Sequence, residues 1–288
     1  MKIGIFDSGI GGISVLHEAL KLLPDEQYIF YADSDHAPYG TKTPEEVRSY
    51  CDEIVEKLIK MGTDAVLIAC NTATAVAADY LREKYDIPII AMEPAVKPAV
   101  KHTEEVPGRV LVMATPITIR ENKLAKLLET VDTNHVVDLL AMPKLVEFAE
   151  KQKFETEEVY DYIRSQVADF DTKAYSDVVL GCTHFNYFKP AISEIFNEGR
   201  GEAPGVEMID GNLGTVKHLA KKLGLEIKTE NEMDDKTTGE TAGGASGNIM
   251  NFGRGKVEYY ISGRIVKDAE TLGRFKRLHR RLEMVRSL

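Results

Sequence analysis

Cysteine is scarce in this 288-residue chain: only Cys51, Cys70 and Cys182. An odd number at wide spacing makes no disulfide framework. The expected setting is a reducing cytoplasm, where a cysteine placed at a loop is kept for its chemistry. Basic residues are also in the minority, 36 against 46 acidic ones, for a formal net charge of −10. That balance argues against general binding to nucleic-acid phosphates, though a local field can still hold a small anion. No apolar run is long enough to span a bilayer, and the opening MKIGIFDSGIGG lacks the apolar stretch of a signal peptide. Neither a nucleic acid nor a membrane is therefore expected as a partner. A P-loop lysine, a CxxC pair and an HExxH helix are missing too, and DSGIGG lacks the GxGxxG spacing. An Asp at the mouth of that loop would repel a pyrophosphate.

What is present is an alternation of short β-branched runs with amphipathic stretches, in a chain that is 43% hydrophobic and so able to bury real cores. Strands are expected at Lys2–Phe6, Tyr28–Ala32, Ala65–Ala69, Ile87–Ala91, Val110–Ala114, Val136–Leu140, Asp177–Gly181, Glu207–Ile209 and Lys256–Ser262. Thr43, Pro44 and Glu46 make a capping box that opens a helix reaching about Met61, where Gly62 stops it. Ala269–Met284 reads as a basic amphipathic helix that packs one face on its own domain and solvates the other. Strands alternating with helices imply an α/β fold with parallel sheets covered on both faces.

One internal echo organises the chain. Asp64 to Thr72 (DAVLIACNT) resembles Asp177 to His184 (DVVLGCTH): an acidic residue, a short buried strand, then Cys and polar residues. Strand 1, ending in Asp7 and Ser8, has its counterpart in Val110–Ala114, ending at Thr115. The expectation is two similar α/β domains related by pseudo-two-fold symmetry. Their sheets would point their carboxyl ends into one cleft, where open α/β sheets bind ligands. The first domain would comprise 1–97 plus 209–288, with a flexible acidic, Gly/Thr/Ser-rich insertion at about 228–248. The second would be 98–208.

Two cysteines at opposed strand ends can do specific chemistry. A thiolate accepts a carbon-bound proton and a thiol returns one. Set on opposite faces of a stereocentre, the pair inverts it without redox change, provided each sulfur has a neighbour to manage its proton. Asp7 and His184 are the candidates, one for each thiol. Cys51, inside a helix of apolar periodicity, reads as a small buried hydrophobe. A zinc site from Asp7, Cys70, Cys182 and His184 lacks any usual ligand spacing. Cysteine-nucleophile hydrolysis by Cys182 with His184 would ask two residues nearly adjacent in sequence to orient as nucleophile and base, which they seldom do. Asn71 and Thr72 follow Cys70 at a helix N-terminus suited to a carboxylate, Thr183 takes the corresponding place after Cys182, and Pro38–Gly40 is a loop able to close over a small ligand.

In this order and spacing, DSGIGG (Asp7–Gly12), PYG (Pro38–Gly40), CNT (Cys70–Thr72) and GCTH (Gly181–His184) resemble the glutamate racemases of the aspartate/glutamate racemase superfamily. The resemblance covers roughly residues 2 to 225 and resumes at the last strand and helix. It implies a cofactor-independent, metal-free, two-base interconversion of L- and D-glutamate that supplies D-glutamate for peptidoglycan. Cys70 and Cys182 match its catalytic thiols, assisted by Asp7, His184 and Glu150 of MPKLVEFAE. Substrate contacts map onto Asp7, Ser8, Tyr39, Gly40, Asn71, Thr72, Thr115, Thr118, Thr183 and His184. A homodimer is also implied. The alternatives are an aspartate racemase or a related superfamily isomerase, and, from another class, a protein that binds an amino acid without turning it over.

Overall fold

The computed structural model describes residues 1–201, 204–228, 249–252 and 255–286. The acidic stretch expected as an insertion therefore lies, from 229 to 248, outside the described residues. Among the described residues the elements run β1 (Lys2–Asp7), α1 (Ile13–Leu22), β2 (Gln27–Ala32), α2 (Pro44–Lys60), β3 (Ala65–Ile68), α3 (Asn71–Lys84), β4 (Ile89–Ala91) and α4 (Val96–His102). There follow β5 (Arg109–Ala114), α5 (Pro116–Arg120), α6 (Asn122–Val131), β6 (Val137–Ala141), α7 (Pro143–Glu150), α8 (Glu157–Val167), β7 (Tyr175–Gly181) and α9 (Lys189–Asn197). The last are β8 (Glu207–Asp210), α10 (Asn212–Leu223), β9 (Ile249–Phe252), β10 (Gly255–Ile261), β11 (Arg264–Ile265) and α11 (Ala269–Met284).

Helix starts follow from their first residues. Thr43 Oγ1 accepts from Glu46 N–H at 3.2 Å and Glu46 Oε2 accepts from Thr43 N–H at 2.8 Å, so α2 opens on a complete capping box with Pro44 next. Gly62, at φ +79, takes the left-handed step past its end. Thr115 caps α5 in the same manner, accepting from Thr118 N–H at 3.3 Å with Pro116 behind it. At α3 the capping side chain is a thiol: Cys70 Sγ accepts from Ala73 N–H at 3.4 Å.

The strands form two sheets. The first has the order β11-β10-β2-β1-β3-β4 with β9 on β10, and the second β6-β5-β7-β8. Within the first, β2-β1-β3-β4 pair parallel; in the second all four strands do. The order 2-1-3-4 thus recurs as 6-5-7-8. Cys70 follows β3 and Cys182 follows β7, the same position in each unit, while β1 ends at Asp7 and β5 leads into Thr115. This is the two-unit α/β fold that the internal echo implied. β8 pairs with β7 and straddles the expected boundary at 208/209. Burial explains the uninterrupted apolar runs: every residue of β3 and β7 is buried, as parallel strands covered on both faces require.

The halves share a core. One apolar cluster runs from Ile5 and Ile13 of the first half to Leu145 and Phe185 of the second. Each such side chain contributes about 1.5–3 kcal/mol on burial. α11 packs within this body rather than standing free. Phe275, Leu278, His279 and Leu282 are buried, with the Phe275 ring 4.8 Å from that of Tyr259. No helix among the described residues is long and apolar enough to cross a membrane.

Candidate active site

The end of β1 turns sharply toward the second half. Asp7 is fully buried; its Oδ1 accepts from Gly9 N–H at 2.9 Å and its Oδ2 accepts from the Thr183 hydroxyl at 2.9 Å. Burial pushes the Asp7 carboxyl up, and the His184 charge and these hydrogen bonds oppose that rise. The glycines of this loop are set by crowding. A Cβ on Gly9 would overlap Glu150 Oε1, and one on Gly11 would overlap Thr183 Oγ1 and His184 Nδ1. Two residue types in the loop therefore have different reasons: Asp7 supplies charge, while Gly9 and Gly11 let the second half approach.

Cys70 and Cys182 are both buried, 5% and 7% exposed, so neither reacts as a surface thiol. Cys70 Sγ stands 3.8 Å from Ser8 Oγ, which lies 3.4 Å from Asp7 Oδ1. Burial first, and the Asp7 charge second, push the Cys70 thiol up to about 12, against the Ala73 N–H that favours the thiolate. Cys70 is thus a neutral thiol at pH 7. Cys51, fully buried on α2, is pushed up by burial as well, and among the described residues it has no hydrogen-bond partner of the kind the other two have.

Cys182 opens a 3-10 turn, Thr183–Phe188, every residue of which is buried. The turn brings His184 Nδ1 to 3.8 Å from Cys182 Sγ, so near-adjacency in sequence does not keep this pair apart. His184 Nε2 meets Glu150 Oε1 at 2.9 Å, and the same oxygen accepts from Ile10 N–H at 2.8 Å. Burial disfavours the His184 charge, but hydrogen bonding to Cys182 and Glu150 outweighs it and holds the imidazole well above its ordinary range. Glu150 is the converse case. Burial would raise its carboxyl, and the hydrogen bond and charge of His184 prevail, keeping it below the usual carboxylate range. A contact path runs from one thiol to the other: Cys70, Ser8, Asp7, Thr183, His184 and Cys182, with Thr183 Oγ1 3.5 Å from His184 Nδ1.

Three of the threonine hydroxyls gather into one cluster. Thr72 Oγ1 lies 2.9 Å from Thr115 Oγ1 and 3.3 Å from Thr118 Oγ1, and the latter two are 2.9 Å apart. This buried cluster joins the N-termini of α3 and α5, one from each half. Gly40 lies against Thr115, which brings the Pro38–Gly40 loop onto the cluster. The Tyr39 hydroxyl is already committed, donating to Asp33 Oδ2 at 2.6 Å. Asn71 is buried and its Oδ1 has no hydrogen-bond partner among the described residues; a pocket of about 70 Å³ opens beside it, lined also by Thr74 and Thr118. A buried carbonyl oxygen without a partner is uncommon and marks a place for a ligand donor.

Sequence reasoning missed Arg274 and Arg281 of α11, which reach this region from the far end of the chain. Arg274 Nη2 donates to the Glu150 backbone oxygen, and Arg281 Nε to that of Tyr187 at 2.9 Å. Both lie three or four residues from the buried Leu278, so helical spacing puts them beside the packed face, but no local pattern names the distant residues they meet. Elsewhere, the described residues hold one group of possible metal-ligating side chains, His102, Asp177 and Glu207. Both His102 nitrogens already face carboxylates there, at 2.7 Å and 3.5 Å.

The family model described as Asp/Glu/Hydantoin racemase matches residues 11–219 of this chain. A protein of Lachnospira eligens named Glutamate racemase is 46% identical over 291 residues, covering 100% of each chain. Glutamate racemase 2 of Bacillus subtilis is 41% identical, covering 96% of this chain and 95% of its own. Among solved structures, glutamate racemase from Campylobacter jejuni superposes with a TM-score of 0.71 at 25% identity, covering 96% of this chain and 97% of its own. The Escherichia coli glutamate racemase, solved with L-glutamate and the activator UDP-MurNAc-Ala, gives 0.68 at 29% identity over 80% of this chain and 85% of its own.

Proposed function

The chain belongs to the Asp/Glu/hydantoin racemase family, and from that premise we propose that it interconverts L- and D-glutamate through Cys70 and Cys182, with no bound cofactor. The observation that carries this reading is the pair of buried thiols at equivalent strand ends, each with its own polar neighbours. Relatives named for glutamate, 46% and 41% identical over nearly the whole chain, support the substrate.

The substrate's α-carbon sits between the two sulfurs. In one direction His184, anchored at its other nitrogen by Glu150, already carries the proton of the Cys182–His184 pair, so the sulfur stands as the thiolate and takes the α-proton. The carbanion is reprotonated on its opposite face by the Cys70 thiol, which burial and Asp7 keep protonated until then. The proton now sits on the other sulfur, and the path through Ser8, Asp7, Thr183 and His184 is an internal route for its return. Asn71 Oδ1 receives the α-ammonium group, while the hydroxyls of Thr72, Thr115, Thr118 and Thr183, the Ser8 hydroxyl and the backbone at Tyr39–Gly40 receive the carboxylates. The two sheets act as the cores of two domains, near 1–97 plus 209–288 and 98–208 but with all of β8 on the second sheet, and the substrate enters between them. The enzyme works as a cytoplasmic homodimer and supplies D-glutamate for peptidoglycan.

The test is circular-dichroism detection of D-glutamate formed from L-glutamate, with EDTA and without pyridoxal phosphate, and with L-aspartate in parallel. Turnover of glutamate is the expected result. Turnover of aspartate alone would move the substrate to the alternative within the superfamily, and turnover of neither would refute the proposal.

A further inference from the structure

Glu150 gives its two carboxylate oxygens different partners. Oε1 serves His184 Nε2 and Ile10 N–H. Oε2 faces the Arg274 guanidinium at 3.7 Å, and the same guanidinium donates through Nη2 to the Glu150 backbone oxygen. Arg274 therefore grips both the main chain and the side chain of the last residue of α7. Two turns further along α11, Arg281 donates to the Tyr187 backbone oxygen, meets Glu155 Oε2 at 2.6 Å and lies 4.6 Å from the Phe154 ring. The helix is itself fixed, because Phe275 and Leu278 between the two arginines are fully or nearly fully buried.

An arginine–carboxylate pair on a helix surface contributes little on its own. This one differs because its carboxylate is already engaged by the imidazole beside Cys182. Were Glu150 free to turn, or free to take the proton from His184, the imidazole would lose its anchor and its charge together. We propose that Arg274 is a positioning residue of the active site, holding Glu150 ionised and in register so that His184, not Glu150, carries the proton exchanged with Cys182. Arg274 lies beyond residue 219, where the family match ends, so the C-terminal helix adds to the site from outside the matched segment. The inference rests on the two-thiol racemase reading.

The ionisable groups facing Glu150 are His184 and Tyr187 of the 3-10 turn, Asp7 at the end of β1, and Arg274. Of the influences on Glu150, burial raises its carboxyl, and His184, the Ile10 N–H and Arg274 lower it. Removing Arg274 takes away one lowering influence, so the carboxyl titrates at higher pH and the acid limb of kcat/KM moves up.

The experiment compares wild type with Arg274→Gln, Arg274→Lys and, as a packing control on the same helix, Leu278→Ala. Each is assayed for glutamate racemisation from pH 5 to 9 and for its melting temperature. Arg274→Gln is expected to lower kcat roughly tenfold, a part of what a positioned proton carrier supplies, with KM within about twofold. Its acid limb rises by roughly half a pH unit, as fits a partly exposed cation. Arg274→Lys keeps the charge but not the fork, so its limb stays near wild type while kcat is intermediate. Leu278→Ala melts earlier with its limb unmoved. If Arg274→Gln does not fold, Arg274→Lys decides: wild-type kcat in that variant refutes the positioning role. A limb in Arg274→Gln that superposes on wild type, or an equal shift in Leu278→Ala, overturns the proposal. Silence of the wild type on glutamate would instead strike at the racemase reading.

Discussion

Gly11→Ala places a single methyl group where the two halves meet. Its carbon would stand 2.8 Å from His184 Cε1 and closer still to His184 Nδ1 and Thr183 Oγ1. Neither neighbour is loose, since Thr183 donates to Asp7 at 2.9 Å and His184 is held by Glu150 at 2.9 Å. Gly11 is not in the left-handed region, so the backbone adds no penalty and the cost is one of contact alone. Overpacking of this kind costs about 1–3 kcal/mol. Relief requires the 3-10 turn to retreat by something like 1 Å, which also lengthens the Asp7–Thr183 bond. A displacement of that size at a reacting group costs kcat on the order of 10²-fold. The control is Gly214→Ala in α10, where a Cβ meets nothing within 4 Å; that change should stabilise by about 0.4–1 kcal/mol. Circular-dichroism kinetics and thermal melts on both variants suffice. A Gly11→Ala enzyme with kcat within about twofold of wild type would show that the approach of the halves does not set the catalytic geometry.

Four other outcomes are expected. Cys70→Ala and Cys182→Ala should each abolish racemisation yet keep one-sided chemistry on a substrate with a better leaving group; substantial racemisation in both would defeat the two-thiol mechanism. Asp7→Asn removes a charge that raises the Cys70 thiol, so the pH profile for alkylation of Cys70 by iodoacetamide should shift down from about 12, and an unchanged profile would mean Asp7 does not govern that thiol. Glu150→Gln leaves His184 without an ionised partner and should cut kcat by roughly 10²-fold, within the range for a positioned proton carrier; near-normal kcat would remove Glu150 from the relay. His102 is raised above its ordinary value by its hydrogen bond to Asp177, so its contribution of about 1 kcal/mol is full below about pH 6.5 and fades as pH rises through the raised value. The melting gap between wild type and His102→Gln should then be widest near pH 6 and narrow toward pH 9; a constant gap would contradict the linkage.

Local signals were the legible ones. Thr43, Pro44 and Glu46 announced a capping box because all three of its parts lie within four residues, and Ala269–Met284 announced a helix by its period. The duplicated DAVLIACNT and DVVLGCTH stretches gave away the repeated strand order, because buried parallel strands must be apolar throughout and end abruptly at polar residues. The candidate site was legible in its residues but less so in its geometry. His184, two residues past Cys182, was a candidate partner for a thiol, but the sequence did not show the tight 3-10 turn that brings its Nδ1 to Cys182 Sγ. Arg274 sits beside the packed face of α11, four residues before the buried Leu278, while Arg277 and Arg280 are exposed; its role was nonetheless invisible, because its partner Glu150 lies more than a hundred residues earlier in the chain.

The recurrence of one strand order in both halves bears on a constraint peculiar to reactions between mirror images. Enantiomers have equal standard free energies in water, so the equilibrium constant is unity and the Haldane relation forces kcat/KM to be the same in both directions. A protein with perfect two-fold symmetry would satisfy that relation with equal kcat and equal KM. This chain is two-fold only in its backbone: Ser8 and Asp7 flank one sulfur, His184 and Glu150 the other. Its asymmetry can therefore be expressed only as a proportionate trade, one enantiomer held more tightly and turned over more slowly by the same factor. Divergence between the halves sets which mirror image dwells in the site, and leaves the final ratio of the two untouched.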